Sequence, residues 1–327
     1  MSRRRTSFRR AGLRFGLLYA LPGCAGDRVI LHAGVLPGRA DAVALGDDPS
    51  DLHRQRPSGQ LERVDLPRGR VAETFDPQTD RTERLLDLDE DGSSARVLAA
   101  SDDALFIWAD GTAQEPLLSD PGAGGGVRHG ALTQGGFVVV LSGVGLDAPE
   151  CTARFVGTAA ATLPLPAEAC TASGALVADP LEAQAWLFTT AGSWVLTPAS
   201  VAGFEAAGDV ATFEPVTGSA VVATAGTSVL DAFDADGAPI WSEPVELVDH
   251  RVRALTALGT AGIVAVASGR GASGSVSLLY GTTGDGVVAL ATPAESHAIS
   301  GSGDGQSLAL AVADEVHLFD IQLGAAP

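Results

Sequence analysis

Asp87-Leu88-Asp89-Glu90-Asp91-Gly92-Ser93 is the segment of this 327-residue chain best equipped for chemistry. Alternating aspartates would set three carboxylates inside a tight loop, the oxygen-rich surrounding that Ca2+ requires, and Gly92 would permit the turn. Asp87, Asp89 and Asp91 are therefore candidate metal ligands. The ninth position of such a loop is Ala95 and the twelfth is Leu98, which leaves two ligand positions empty, so a plain acidic turn before a strand competes with the cation reading. Asp234-Ala-Asp236-Gly237 offers a smaller version, two carboxylates in a hairpin turn. A second group is His129, His250 and His297, each just ahead of an apolar run. If the strands beside them line one channel, three imidazoles meet on one rim and could hold a metal or act as a base. Hydrogen-bonded structural histidines would give the same pattern. Gly269-Arg-Gly271-Ala-Ser-Gly274 spells a dinucleotide fingerprint, but Ser275-Val-Ser-Leu-Leu-Tyr280 is strand-like where a phosphate site needs a helix N-terminus, so a hairpin loop is expected. The chain has no G-x-S-x-G elbow, and no catalytic residue is assigned.

The three cysteines point to a compartment. Residues 1–14 carry six arginines and no acid, and an apolar run then leads through Leu21-Pro22-Gly23 to Cys24. A positive leader, a short apolar stretch and small residues at a cut site read as an export signal, too short to span a bilayer as a helix, with a ragged N-terminus and an incidental Cys as the alternative. Leu21-Pro22-Gly23-Cys24 resembles the lipobox of bacterial lipoproteins, which implies cleavage after residue 23 and lipidation of Cys24. Ala25 leaves sorting to the outer membrane open, because the retention aspartate of some lipoproteins is absent. Cys151 and Cys170 are then an even pair nineteen positions apart, as suits an exported chain with one disulfide. Spacing alone does not bring their Cα atoms together, so two unpaired thiols stay open as the alternative. No CxxC and no Cys/His quartet of the usual zinc type is present.

Loss of residues 1–23 with their six arginines would leave 15 Arg against 40 Asp and Glu, a net charge of −25. Such a surface repels nucleic acid and anionic lipid and favours basic partners or divalent cations. Membrane attachment is thus expected through Cys24 alone. Lysine and asparagine are absent altogether, a codon-bias signature.

Residues 24–58 are polar and turn-rich and are expected to be a tether. From residue 59 onward an apolar strand, a small turn, a second strand and a Gly/Pro/Asp loop recur. The apolar runs start at Ala104, Phe137, Trp186, Ala220, Ile263 and Leu308, in steps of 33, 49, 34, 43 and 45. Short strands at that period, each unit able to supply four, indicate an all-β domain of the β-propeller kind over residues 59–327. Six blades are countable and a seventh is expected between residues 59 and 95. The last unit has room for three strands, so Leu61–Leu66 or Arg70–Phe75 is expected to complete it and close the ring. A two-sheet β-sandwich explains the period less well. Trp108, Trp186, Trp194 and Trp241 lie in or beside strands and are read as packing residues.

Val229-Leu-Asp-Ala-Phe-Asp-Ala-Asp-Gly-Ala-Pro-Ile-Trp241 resembles the blade signature of quinoprotein-like (PQQ-repeat) propellers, a strand, an Asp-x-x-Gly turn and a closing Trp. Ala104–Leu118 and Leu278–Leu290 echo it without the Trp. Quinone-dependent dehydrogenases of that family are longer and have adjacent cysteines, so no quinone cofactor is implied. Asp87–Ala100 resembles the calcium-loop repeats of integrin-type propellers, which would make Ca2+ the one cofactor to consider. The whole reads as a lipid-anchored or periplasmic, non-catalytic propeller of the cell envelope that binds a protein or polymer, similar to the propeller lipoprotein of the outer-membrane β-barrel assembly machinery. A propeller hydrolase or lyase using the channel histidines, and a Ca2+-dependent adhesion module, are the alternatives.

Overall fold

Ala220-Val-Val-Ala and Ile263-Val-Ala-Val are buried without interruption, the pattern of a strand covered on both faces. Such strands form the middle of seven antiparallel sheets, the blades of a β-propeller. The computed structural model describes residues 29–46, 50–75, 84–91, 94–100, 104–109, 112–113, 118–119, 126–133, 136–144, 149–158, 160–224, 227–245 and 251–322.

Strand β1 (Val29–Pro37) precedes blade 1, which is β2 (Ala42–Leu45), β3 (Asp51–Gln55), β4 (Leu61–Asp65) and β5 (Arg70–Phe75). Blade 2 holds β6 (Arg84–Asp91), β7 (Ser94–Ala100) and β8 (Ala104–Ala109), with the short β9 (Thr112–Ala113) and β10 (Leu118–Ser119) both paired to β8. Blade 3 is β11 (Gly126–Thr133), β12 (Gly136–Val144), β13 (Pro149–Gly157) and β14 (Ala161–Leu165). A short helix, α1 (Glu168–Thr171), leads to blade 4, made of β15 (Gly174–Ala178), β16 (Ala185–Thr189), β17 (Gly192–Thr197) and β18 (Ser200–Phe204). Blade 5 is β19 (Gly208–Glu214), β20 (Ser219–Thr224), β21 (Val229–Phe233) and β22 (Pro239–Pro244). Blade 6 is β23 (Arg251–Ala257), β24 (Ile263–Arg270), β25 (Ser273–Tyr280) and β26 (Gly286–Thr292). Blade 7 takes β27 (Ser296–Gly301), β28 (Ser307–Val312) and β29 (Glu315–Gln322) from the end of the chain and β1 from its beginning.

The ring is therefore seven-bladed, and its closing strand is β1, antiparallel to β29 from Val29↔Gln322 to Pro37↔Glu315. This corrects three expectations. Residues 24–58 are not a tether throughout, since β1, β2 and β3 all begin before residue 59. Leu61–Leu66 and Arg70–Phe75 do not close the ring; they supply β4 and β5 of blade 1. The apolar runs are also not the first strands of their units. From Phe137 onward they are the second strands, and Ala104 begins a third strand, which accounts for the short first step of 33. The second strand packs against both neighbouring blades and reads as continuously apolar, whereas the inner strand has one edge on the channel and reads as mixed.

Among the described residues, six of the seams between blades are apolar layers. Trp186, Phe188 and Val195 of blade 4 meet Val222 and Phe233 of blade 5, and Leu278 and Val276 of blade 6 meet Leu308 and Leu310 of blade 7. Burying each such side chain contributes about 1.5–3 kcal/mol. Trp186 stacks on Phe213 and donates its indole N–H to the Asp234 carbonyl at 3.2 Å. Trp241 donates to the Gly281 carbonyl of blade 6 at 2.8 Å. Gly237 turns the hairpin before Trp241 at φ +80°, a conformation that favours glycine. Cys151 of β13 and Cys170 of α1 form a disulfide with Cα atoms 5.7 Å apart, tying the link between blades 3 and 4 back onto blade 3.

Blade 1 is built differently, with His53, Arg54, Gln55 and Glu62 all buried. Arg54 donates to Glu62 at 2.8 Å and to the Pro37 carbonyl at 3.1 Å, while Arg56 donates to the same carboxylate at 3.0 Å and to the Arg39 carbonyl at 3.3 Å. The two guanidiniums thereby fasten the end of the closing strand to blade 1. Removing Glu62 would leave the Arg54 charge buried without its partner, at a cost of about 3–5 kcal/mol. A Glu62→Ala variant should show that loss in its denaturant midpoint, and an unchanged midpoint would remove the latch from the account.

Burial, with the Arg63 guanidinium adding to it, lowers the His53 pKa from its ordinary 6.5 to about 4. Between those values the unfolded chain binds more protons than the folded one, so stability falls as pH drops from 6.5 toward 4. At about 1.4 kcal/mol per pKa unit the full effect is about 3 kcal/mol. A His53→Leu variant should lose less stability than the unaltered chain between pH 7 and pH 4.5; an equal loss would exonerate His53.

Candidate functional site

Five of the seven inner strands carry a register shift against the second strand near their start. The inserted residues are Leu86 in β6, Arg128 in β11, Asp209 in β19, Arg253 in β23 and His297 in β27. A bulge re-aims the extra side chain out of the pleat. Arg128, Asp209, Arg253 and His297 are accordingly exposed, whereas Val127, Gly208, Val252 and Ser296 just before them are buried. Four charged or polar side chains thus stand at equivalent places on the rim where the inner strands begin. Arg128 donates to the Ser142 hydroxyl at 3.0 Å. Arg253 is ion-paired with Glu295, whose other oxygen accepts from the Gly271 amide at 2.8 Å. His297 donates from Nε2 to the Ala40 carbonyl, in the link from β1 to blade 1, at 2.5 Å.

Further into the ring the same strands are laced together. Thr212 accepts from the Ala257 amide at 3.1 Å, Thr256 from Gly301 at 3.1 Å, and Ser300 from Leu45 at 2.9 Å. Each hydroxyl lies three residues after a bulged residue and bonds the next blade. Asp87 makes the corresponding link between blades 2 and 3, accepting from the Leu132 amide at 2.7 Å. Four seams, those of blades 2–3, 5–6, 6–7 and 7–1, are stitched in this way, so Asp209, Arg253 and His297 stand on three inner strands fixed in series, and Arg128 on one fixed to blade 2.

The sequence-predicted residues fall as follows. His129 directly follows the bulged Arg128, and His297 is itself a bulged residue, so both lie on this rim. They belong to blades 3 and 7, with three blades between them one way round and two the other. His250 lies outside the described residues, as do Cys24 and the side chains of Asp89, Asp91 and Trp108. Asp87, Asp89 and Asp91 sit on strand β6, paired with β7 up to Asp91↔Ser94, and not in the loop expected for them. The pairing partner Ser94–Ala100 draws the acidic run into a sheet. Asp234 spends its carboxylate on the Asp236 and Ala238 amides, closing a turn. Among the described residues no cluster of three His, Cys, Asp or Glu side chains is arranged to hold a metal ion. Gly269 and Gly274 pair across a two-residue hairpin, as expected of that segment.

Arg128, Asp209 and Arg253 were missed, yet a signal for two of them exists. Positions 209, 253 and 297 are 44 apart, and so are the hydroxyl residues 212, 256 and 300. A polar-x-x-Thr/Ser pattern at a fixed period marks the rim in blades 5 to 7.

No known protein family matches the chain, and no curated protein matches it. Solved structures do. The β-propeller domain of Myceliophteria thermophila Cps50 (Swd1) superposes with a TM-score of 0.69 at 14% identity, covering 90% of this chain and all of that one. The structure of U3-55K gives 0.66 at 13% identity, over 89% and 98% of the two chains. The WD40 repeats of RRP9 give 0.67 at 11% identity, over 90% and 100%. The fold is a WD40-like β-propeller.

The lacing predicts a sharp contrast between a stitching residue and a rim residue. Thr256→Val leaves the Gly301 amide without its acceptor and should cost about 1–3 kcal/mol. Asp209→Ala, on the exposed rim of the same structure, should stay within about 0.5 kcal/mol. Chemical denaturation of both variants checks this, and equal costs would contradict it.

Proposed function

We propose that the propeller is a non-catalytic scaffold that holds another protein, or an envelope polymer, against the rim where its inner strands begin. The observation that carries this reading is the set of exposed bulged side chains, Arg128, Asp209, Arg253 and His297, on a frame stitched at Asp87, Thr212, Thr256 and Ser300. A rigid rim that presents charges of both signs suits recognition of a folded surface with complementary charges. The net charge works against nucleic acid as that partner. A fold alone does not imply a function; the WD40-like neighbours support the scaffold reading in general terms, and the rim supplies the particular one.

The lipobox-like Leu21–Cys24 supports an anchor. In this reading Cys24 is lipidated, the ring stands at an envelope membrane, and the outer membrane is the favoured site. The Asp234-x-x-Gly237 turn and Trp241 support kinship with quinoprotein-like repeats, without their cofactor.

A photocrosslinking amino acid placed at position 128, 209 or 253 in cells should capture a discrete partner. The same residue at Leu181 or Val216, exposed in turns at the opposite ends of inner strands, should not. Capture from both ends alike, or from residues 181 and 216 only, would refute the rim as the binding surface. Intact mass and membrane fractionation beside a Cys24→Ala variant test the anchor separately.

A further inference from the structure

The last sheet holds an imidazole pair that the scaffold reading does not use. His32 on β1 lies opposite Phe319, and His317 on β29 lies opposite Val35, which places both rings on one face of the closing blade. Phe319, itself buried, meets His32 edge-on with ring centres 5.3 Å apart and lies nearly parallel to His317 at 6.4 Å, so the two rings share one support. His32 Nε2 and His317 Nδ1 face each other at 3.3 Å. The other nitrogen of His317 is 3.5 Å from Glu315.

We propose that His32 Nε2 and His317 Nδ1 form a binding site for a borderline divalent metal, Zn2+ or Cu2+, that staples the closing strand to the rest of the ring. Zinc–imidazole bonds of about 2.0–2.1 Å at a tetrahedral angle set two ligand nitrogens about 3.4 Å apart, the separation found here. Imidazole selects zinc, copper and nickel over calcium and magnesium, which take oxygen ligands. Glu315, 3.5 Å from the far nitrogen, is in ion-pair but not hydrogen-bond range; a small side-chain rotation would let it hold the proton there and leave the near nitrogen free to coordinate. Two protein ligands leave the remaining positions to water or to a ligand from solution. The metal would bind only the paired strands, so it would stabilise the closed ring: at a free concentration of 100 times Kd the folding equilibrium shifts about 100-fold.

The test titrates the full-length chain with Zn2+ and with Cu2+, using calorimetry and thermal unfolding, and with Ca2+ for contrast. A Cys24→Ser background keeps that thiol out of the result. One equivalent should bind with a rise in Tm, and both effects should vanish in His32→Ala and in His317→Ala. Glu315→Gln should weaken binding roughly tenfold. His32 is exposed, so its variant decides the matter even if His317→Ala folds poorly. Absence of binding, an equal response to Ca2+, or binding that survives His32→Ala would overturn the proposal and leave the pair as a hydrogen bond between two rings.

Discussion

The pairing of β1 with β29 is the constraint on which the rest of this ring depends. Blades 1 to 6 are each made from consecutive strands, so neither their order nor their packing closes anything. Only blade 7 draws on both ends of the chain, and it does so across nearly 300 residues. Bringing such distant segments together costs loop-closure entropy that local contacts do not repay. The compensation is concentrated at that strand. Ile30 and Leu36 insert into the apolar layers on its two sides, one shared with blade 6 and one with blade 1. The Arg54 guanidinium then grips the last carbonyl of β1, so the strand is held by its edge, its faces and its end.

A closed ring lets modest interactions act together. The hydroxyl stitches at Thr212, Thr256 and Ser300 each fix one inner strand to the next, and the indoles of Trp186 and Trp241 fix the outer parts of two seams. None is large by itself. Together they make the position of one inner strand depend on its neighbours, which is what a rim of projecting side chains needs in order to present a fixed surface. The acidic composition has a share in this economy. Asp179, Glu214, Asp234 and Asp304 each accept backbone amides within their own turns, so part of the negative charge closes loops as well as facing solvent.

What could be read from the sequence follows from burial. Second strands such as Ala220–Thr224 and Leu308–Val312 are covered on both faces, so their apolar runs announced themselves and gave the repeat. Inner strands such as Asp209-Val-Ala-Thr212 carry a bulge and a hydroxyl, and their pattern matches no simple period. Blade 1 was hidden because Asp51-Leu-His-Arg-Gln55 pairs its buried Arg54 with Glu62 on the next strand, a relation that composition reports as polarity. Val29–Pro37 was hidden because an edge strand at the end of a ring needs a partner 285 residues away, as His32 and His317 illustrate. On the rim, His129 and His297 stood out by residue type. Arg128, Asp209 and Arg253 did not, since a bulge is a property of register, and register is set by the partner strand. The aspartates of β6 show the converse: their density suggested a loop, and the pairing with Ser94–Ala100 made a strand.

Closure by β1 is best tested by a covalent reporter of its register. Leu31 and Asp320 are directly opposed and both exposed, so a Leu31→Cys/Asp320→Cys variant should oxidise readily. Peptide mapping should then find residue 31 linked to residue 320, in a protein that keeps its fold and unfolds at higher temperature than its reduced form. A folded variant that gives no such link, or one in which residue 31 is joined elsewhere, would contradict the seven-bladed ring closed by its N-terminal strand.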